Sequence, residues 1–527
     1  MFWGNEVLEK VRTRYKDKIE RGEPIIIRDE KTASGRVHVG SLRGVAIHGV
    51  ISELLTQAGI KNKYFFEIND FDVMDGLPVY LDQEKFKPFM GKPLCEVPSP
   101  DGKAKNYAEY FAQEFIGVIE ELGFSPEFYR SSSMYRSGKY NEAIKIALEN
   151  ASLIRDVYKE VSGSQKEEVW LPISVICEKC GKVGTTQVSD FDGKTVAYSC
   201  GDYVEWAKGC GHNGRISPYD GNAKFSWKAE WAAKFGIYNV DVEGGGKDHS
   251  TRGGSRDVAD SISRKVFKRE PPINVPYEFF LVGGKKMSSS KGAGSSSREI
   301  ADLLPPHVLR FLLAYKEPQK VIDFVPDGDT IPILFDTFDK YSENYFSGNK
   351  DDYAEAFTFS YSPKELDNII KHANPRFSQV AYLTQMPHVD IYKEVEKLLG
   401  TKLDKESKKE LELRMKYAKI WIDTYAPEDY KFEIQKNLPE VAKNLSDLQK
   451  KALLLTAEFI KSLEIMDGQV LHTRLHDLKA ELGILPKDLY EAVYLSILGK
   501  TSGPKAGWFL SVLDKAFLVK RFEEVCK

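Results

Sequence analysis

PIIIRDEKTASGRVHVGSLRGVAIHGVISELLTQAGIKNKYFFEI, residues 24–68, holds one complete winding of a layered fold. Pro24 to Asp29 is a β-branched run of the length of a buried strand. A polar loop, Glu30 to Arg36, follows, with Gly35 free to take a positive φ. From His38 to Ala58 the residues Val39, Leu42, Val45, Ala46, Val50, Leu54 and Leu55 recur at helical spacing, and Lys63 to Ile68 reads as a second strand. Strand, loop, helix, strand opens an α/β doubly wound parallel sheet, whose ligands lie over the carboxyl ends of the strands.

Outward from this stretch the pattern breaks and then returns. The Pro-rich run Leu94 to Gly102 leads into a mainly helical insertion, with helices expected over Tyr107–Leu122 and Lys139–Leu153. A cysteine window with short strand-like runs follows, roughly Leu171 to Ser217. The sheet pattern resumes with a strand over Tyr238–Val242, a glycine-rich loop over Gly244–Gly254, a helix over Asp257–Phe267 and a strand over Tyr277–Val282. Beyond about Lys340 the strand signals fade, and Lys393–Tyr425, Leu438–Leu463 and Leu471–Gly483 read as long amphipathic helices.

A chain of 527 residues exceeds one core, and the length prior gives roughly three or four domains. Aromatics at 12% exclude disorder for most of it, and no stretch approaches the ~20 apolar residues of a membrane span. Met1 to Arg21 is charged throughout, unlike a secretory signal, so a cytoplasmic address is expected. The balance of 75 Lys and Arg against 78 Asp and Glu excludes a globally basic nucleic-acid coat protein but not a local phosphate-binding patch.

Four of the six cysteines fall in one window: Cys177-x2-Cys180, nineteen residues, Cys200, nine more, Cys210-Gly211-His212. Paired soft ligands at this spacing fit a closed, structural Zn²⁺ site, with Cys210 as fourth ligand and His212 as the alternate. Four cysteines leave no open position for catalysis. Ser99 to Asn106 supplies no Cys or His, so no second zinc is expected.

Three loops carry the chemistry. His38 stands where the first helix begins, a place that favours an anion, and Gly40 leaves room for a flat base. Gly244-Gly245-Gly246-Lys247-Asp248-His249 permits close backbone approach, and Asp248 is placed to accept from ribose hydroxyls. Gly283 to Gly292 carries Lys285, Lys286 and Lys291 in a glycine-serine loop that can wrap a polyphosphate.

In this order the loops resemble the signature of class I aminoacyl-tRNA synthetases, whose HIGH-type motif follows the first strand and whose KMSKS-type motif closes the last. Here they read His38-Val39-Gly40-Ser41 and Lys286-Met287-Ser288-Ser289-Ser290. With the cysteine window, Gly245 to His249 and WIDTYAPEDYKF (Trp421 to Phe432), nearly the whole chain resembles the class I lysyl-tRNA synthetases.

The resemblance implies activation of L-lysine by ATP, with Mg²⁺, to lysyl-adenylate, and transfer to the 3′ end of tRNA(Lys), by a monomer. It implies ATP contacts from Ser34, Gly35, His38, Gly40, Ser41, Gly246, Asp248 and His249, and from Lys286, Met287, Ser288, Ser289, Ser290 and Lys291. His38, Lys286 and Lys291 are the expected catalytic groups. It also implies six segments: 1–95 and 221–300 form a Rossmann-type domain, 96–170 a helical insertion toward the acceptor end, and 171–220 the zinc module. Residues 301–340 connect, and 341–527 form a helical anticodon-binding domain. Tyr425, Tyr430 and Phe432 are either base-stacking aromatics or ordinary core residues.

Several positions depart from the pattern: Ser41 ends the first motif, Ser289 replaces a lysine, Ala33 stands for a proline, Gly44 for a glutamate and Ser226 for an aspartate. The last two remove acids expected near a lysine ammonium. Asp70, Asp72, Glu230 and the Tyr277 hydroxyl are the candidate replacements, with Trp227 as pocket wall or core packing. A synthetase for another amino acid and a non-catalytic tRNA- or nucleotide-binding regulator are the alternatives.

Overall fold

Ile25–Lys31 (β1) and Asn62–Ile68 (β2) pair in parallel, with Ile27 beside Tyr64, and Glu127–Arg130 (β3) extends the sheet beyond β2. The crossover from β1 to β2 is the helix Ser41–Gln57, buried along most of its length because its apolar residues lie nearly all round it. On the other flank of β1, Asp241 and Val242 donate to the Ile26 carbonyl at 2.8 and 3.0 Å, and Arg28 donates to Val242 at 3.1 Å. Val242 in turn bridges Ile273, and Gly246 bridges Tyr277. The expected doubly wound, parallel α/β arrangement is present. The computed structural model describes residues 1–284, 295–371, 373–386, 389–503 and 505–527.

The expected strand over Tyr238–Val242 is reduced to these bridges, because Asn239 takes a φ of +53° inside it. The expected strand over Tyr277–Val282 shortens to Phe280–Val282, since Tyr277 bridges Gly246 while Phe280–Val282 pairs with Ile322–Phe324. Lys139–Leu153 is two helices, Asn141–Glu149 and Ala151–Ser162, parted at Asn150, whose side chain donates to Ile146 O at 2.8 Å. In the cysteine window, Thr186–Phe191, Val196–Cys200 and Asn213–Ile216 form an antiparallel three-stranded sheet.

Two compact units divide the chain: Met1–Phe324 with Lys340–Ile369, and Val325–Asp339 with Ile370–Lys527. The second is helical. Its expected helix over Lys393–Tyr425 is broken by Gly400 at φ +67° into Ile391–Leu399 and Lys405–Thr424, the latter capped by Asp404 on Ser407 N. The expected helix from Leu438 starts later, as Asp447–Ser462, where Ser446 and Gln449 form a capping box. Trp421 is fully buried and donates to Pro326 O at 2.9 Å. Tyr430 packs on Trp421 and donates to Asp329 at 2.8 Å, and Phe432 packs on Tyr382 and Phe509. Among the described residues no helix is long and apolar enough to cross a membrane.

Candidate active site and metal centre

A cavity of about 790 Å³ opens in the first unit over the carboxyl end of β1. The strand end contributes Asp29 to Lys31, the loop behind it Thr32 and Ser34, and the helix entry His38, Gly40 and Ser41. Gly244 to Gly246, Asp248 and His249 line it from the second loop, with Trp227, Trp231 and Tyr277 as walls. Of the sequence-predicted positions, Ser34, His38, Gly40, Ser41, Gly246, Asp248, His249, Trp227 and Tyr277 therefore meet at one cavity. Gly35 is buried beside it, and Asp70, Asp72 and Glu230 do not line it.

Local geometry explains several residue types. A Cβ at Gly40 would stand 2.9 Å from His38 Nδ1, so His38 and a side chain at 40 exclude each other. The N–H groups of Ser41, Leu42 and Arg43 donate back to the carbonyls of His38, Val39 and Gly40 at 2.9–3.2 Å. These three backbone donors at the helix entry are thus already engaged. Trp227 stacks on Trp231 at 5.7 Å and meets His249 edge-on at 5.0 Å, so both indoles serve as wall. Trp231 anchors itself by donating to Glu243 at 2.7 Å.

Lys286, Met287, Ser288, Ser289, Ser290 and Lys291 lie outside the described residues. The described flanks of that loop are fastened. Gly284 N donates to Asp323 at 3.0 Å on one side. On the other, Val39 N donates to Ser295 O at 3.2 Å, Ser297 N to Val37 O at 2.7 Å, and His38 bridges Ser296. The loop therefore returns to the chain at His38.

Beneath the cavity lies a buried ionic layer that the sequence did not announce, since its members occupy strand and helix positions that elsewhere hold core residues. Arg28, fully buried, donates to Glu67 and Glu30 at 2.5 Å each, to Glu243 at 2.9 Å and to the Tyr129 hydroxyl at 2.9 Å. Lys234 lies 2.6 Å from Glu30 and 2.9 Å from Glu67. Burial works against both cations, but the surrounding acids outweigh it and hold both well above their ordinary values. Glu30 and Glu67 are held below the usual carboxylate range, because the two cations outweigh their burial.

Three of the four candidate ammonium ligands are engaged by neighbouring groups. Glu230 and Asp72 are both engaged by Lys224, the second at 3.0 Å, and Glu230 also accepts from Tyr135 at 2.8 Å. Asp70 accepts from Ser132 N at 2.8 Å, from Ser132 Oγ at 2.6 Å and from Ser131 Oγ at 3.1 Å, at the start of the helix Ser131–Arg136. Tyr277 alone of the four faces the cavity, and burial holds its phenol well above the ordinary value, hence protonated. Asp29, which sequence reasoning passed over, does line it. The signal was available: Asp29 and Lys31 share one face at the carboxyl end of a parallel strand.

The thiol groups of Cys177, Cys180, Cys200 and Cys210 lie within 4.8 Å of one another. Cys177–Cys210 and Cys180–Cys200 separations are 3.6 and 3.7 Å. Four thiolates about 2.3 Å from a tetrahedral ion stand roughly 3.8 Å apart, so this group fits a metal. His212 is not one of the four; it packs edge-on against Tyr198 at 5.9 Å.

Residues 1–365 match the family model described as tRNA synthetases class I (K). Curated relatives cover nearly the whole chain. The lysine–tRNA ligase of Methanosarcina barkeri is 33% identical over 94% of this chain and 93% of its own length. Lysine–tRNA ligase 1 of Methanosarcina acetivorans is 32% identical over 99% and 98%. The lysine–tRNA ligase of Archaeoglobus fulgidus is 32% identical over 96% and 98%.

Proposed function

We infer the division of labour below from one premise: this chain belongs to the tRNA synthetases class I (K) family. It is a lysine–tRNA ligase, which activates lysine with ATP and charges tRNA. The observation that carries the site assignment is the meeting of the first two motif loops on one cavity, with the third returning to the chain at His38.

ATP lies over the carboxyl ends of the strands, with His38 and Ser41 toward the phosphates, Gly40 beneath the adenine and Asp248 on the ribose. Ser34, Gly35, Gly246 and His249 complete its surroundings. Lys286 and Lys291, with Met287 and Ser288 to Ser290 between them, close over the pyrophosphate. The lysine carboxylate displaces pyrophosphate from the α-phosphate in line, and the terminal ribose hydroxyl of tRNA(Lys) then takes the lysyl group and releases AMP. No side-chain nucleophile is required. Positioning and fixed positive charge supply the catalysis, because charge shifts onto the leaving pyrophosphate as the reaction proceeds. Mg²⁺ accompanies ATP and offsets phosphate charge when bound.

The four cysteines hold Zn²⁺ as a structural clamp on the module of residues 171–220. Residues 1–95 and 221–300 carry activation, 96–170 receives the acceptor end, 301–340 connects, and the helices of 341–527 receive the anticodon. The enzyme works in the cytoplasm as a monomer.

Aminoacylation of tRNA with labelled lysine, arginine and ornithine tests the reading. Transfer of lysine alone is the expected result. Transfer of a different amino acid, or none with active ATP binding, would contradict it.

A further inference from the structure

A lysine side chain brings an ammonium into the cavity, and a buried cation needs an acid or several acceptors facing it. Among the described residues five acids line the cavity: Asp29, Glu30, Glu243, Asp248 and Glu278. Glu30 is engaged by Arg28 and Lys234, Glu243 by Arg28 and the Trp231 indole, and Glu278 by Lys247 at 2.7 Å. Asp248 stands exposed on the short helix Lys247–Ser250 beside His249. Asp29, unlike Glu30, Glu243 and Glu278, is paired with no lysine or arginine among the described residues, although Glu243 and Glu278 each keep one buried oxygen without a hydrogen-bond partner. One Asp29 oxygen accepts from Glu30 N at 2.8 Å, and the other lies 3.3 Å from His48 Nδ1, its ionic neighbour.

The hydrogen bonds of His48 are those of a neutral ring. Its Nε2 accepts from Gly244 N at 2.8 Å, and an imidazole can accept there only while that nitrogen carries no proton. Its proton then sits on Nδ1, which contacts Gly44 O at 2.8 Å. Burial is the largest influence and lowers the ring's pKa, but Asp29, the Gly44 carbonyl and Glu243 together raise it above the ordinary value, while the Gly244 N–H opposes protonation of Nε2. Lys31 also lines the cavity, but forms no ion pair with Asp29 within 4 Å, and burial lowers its pKa despite Asp29 and Asp248.

The glycine at position 44 supplies an independent observation. A Cβ there would lie 2.9 Å from Asp29 Oδ2 and 2.8 Å from the Tyr277 hydroxyl, closer than real Cβ contacts come. Asp29 and Tyr277 therefore converge on one point, which is the space a side chain on the helix would take. The family resemblance expects an acid at 44; in this chain the Asp29 carboxylate and the Tyr277 hydroxyl occupy the space where that side chain would leave the helix.

We propose that Asp29 is the specificity-determining carboxylate that holds the lysine ammonium, with the Tyr277 hydroxyl as its companion acceptor. This rests on the lysine reading above. Glycine at 44 and aspartate at 29 form one exchangeable unit, in which the negative charge has moved from helix to strand.

The test is amino-acid-dependent ATP–pyrophosphate exchange by the full chain with lysine and with norleucine, which has the same carbon chain without the ammonium. Asp29→Asn keeps the shape and removes the charge. Its KM for lysine should rise roughly 100-fold or more, the scale of deleting a buried charge partner, while its KM for ATP stays within about two-fold. Its preference for lysine over norleucine should collapse. Gly44→Glu alone should be impaired by collision with Asp29 and the Tyr277 hydroxyl, and D29S/G44E/Y277F, which clears both oxygens, should regain lysine preference over D29N. An unchanged lysine KM and lysine preference in D29N would overturn the proposal. If D29N fails to bind ATP as well, the triple variant decides: one that binds ATP but shows no lysine preference overturns the proposal. A parent chain that activates no cationic amino acid would fail before any substitution is read, and would remove the lysine reading and this proposal together.

Discussion

Arg28 shows what a single residue does in this molecule. It is fully buried and meets three carboxylates, Glu30, Glu67 and Glu243, so its removal leaves their charge without its main partner. Arg28→Met should destabilise the protein by about 3–5 kcal/mol, read as a lowered urea midpoint, because breaking a buried network costs more than the network's net worth. A loss below ~1 kcal/mol would mean that Lys234 alone neutralises the layer. At this scale little was legible. Spacing marks which residues face inward, but not that an arginine, two lysines and several acids will face inward together. Spacing alone leaves Asp72 and Glu230 open to a substrate for that reason; each is engaged by Lys224.

At the scale of elements the periodicity was largely readable and the interruptions were not. The helices near Tyr107 and Leu471 occur where their apolar spacing places them, as Tyr107–Glu121 and Gly468–Leu482. Breaks at Asn150 and Gly400, and the loss of a strand at Asn239, follow from side-chain competition and left-handed backbone, which hydrophobic spacing does not report. Gly483 ends its helix at φ +63° with open space around it, so Gly483→Ala should cost about 1 kcal/mol through backbone strain alone, measurable by denaturant unfolding. The cysteine spacing was the clearest signal at this scale, because a metal site imposes both residue type and separation. Cys180→Ser should abolish bound zinc, measured by elemental analysis. The amides of Thr186–Phe191, Val196–Cys200 and Asn213–Ile216 should then lose hydrogen-exchange protection while those of β1 and β2 keep theirs.

At the scale of the whole molecule, the candidate site was legible because a parallel sheet gathers the loops that follow its strands. Loops more than 200 residues apart in sequence, at His38 and Asp248, line one cavity for that topological reason. The six-segment division and the helical anticodon assignment rest on family resemblance. Activation and tRNA binding are separable in this account: Lys286→Ala with Lys291→Ala should abolish pyrophosphate exchange while tRNA affinity, measured by filter binding at fixed salt, changes by less than about two-fold. A parallel loss of tRNA affinity would assign that loop to tRNA instead. The most direct measurement is ATP–pyrophosphate exchange by the unaltered chain, with and without tRNA, across all amino acids and ornithine. Ornithine is the demanding control, since one methylene is worth only about 1–3 kcal/mol in a pocket. Exchange that depends on lysine, with ornithine weaker and neutral amino acids silent, is the predicted result. Exchange driven by a neutral or acidic amino acid, or silence with every amino acid in the presence of tRNA, would contradict the account.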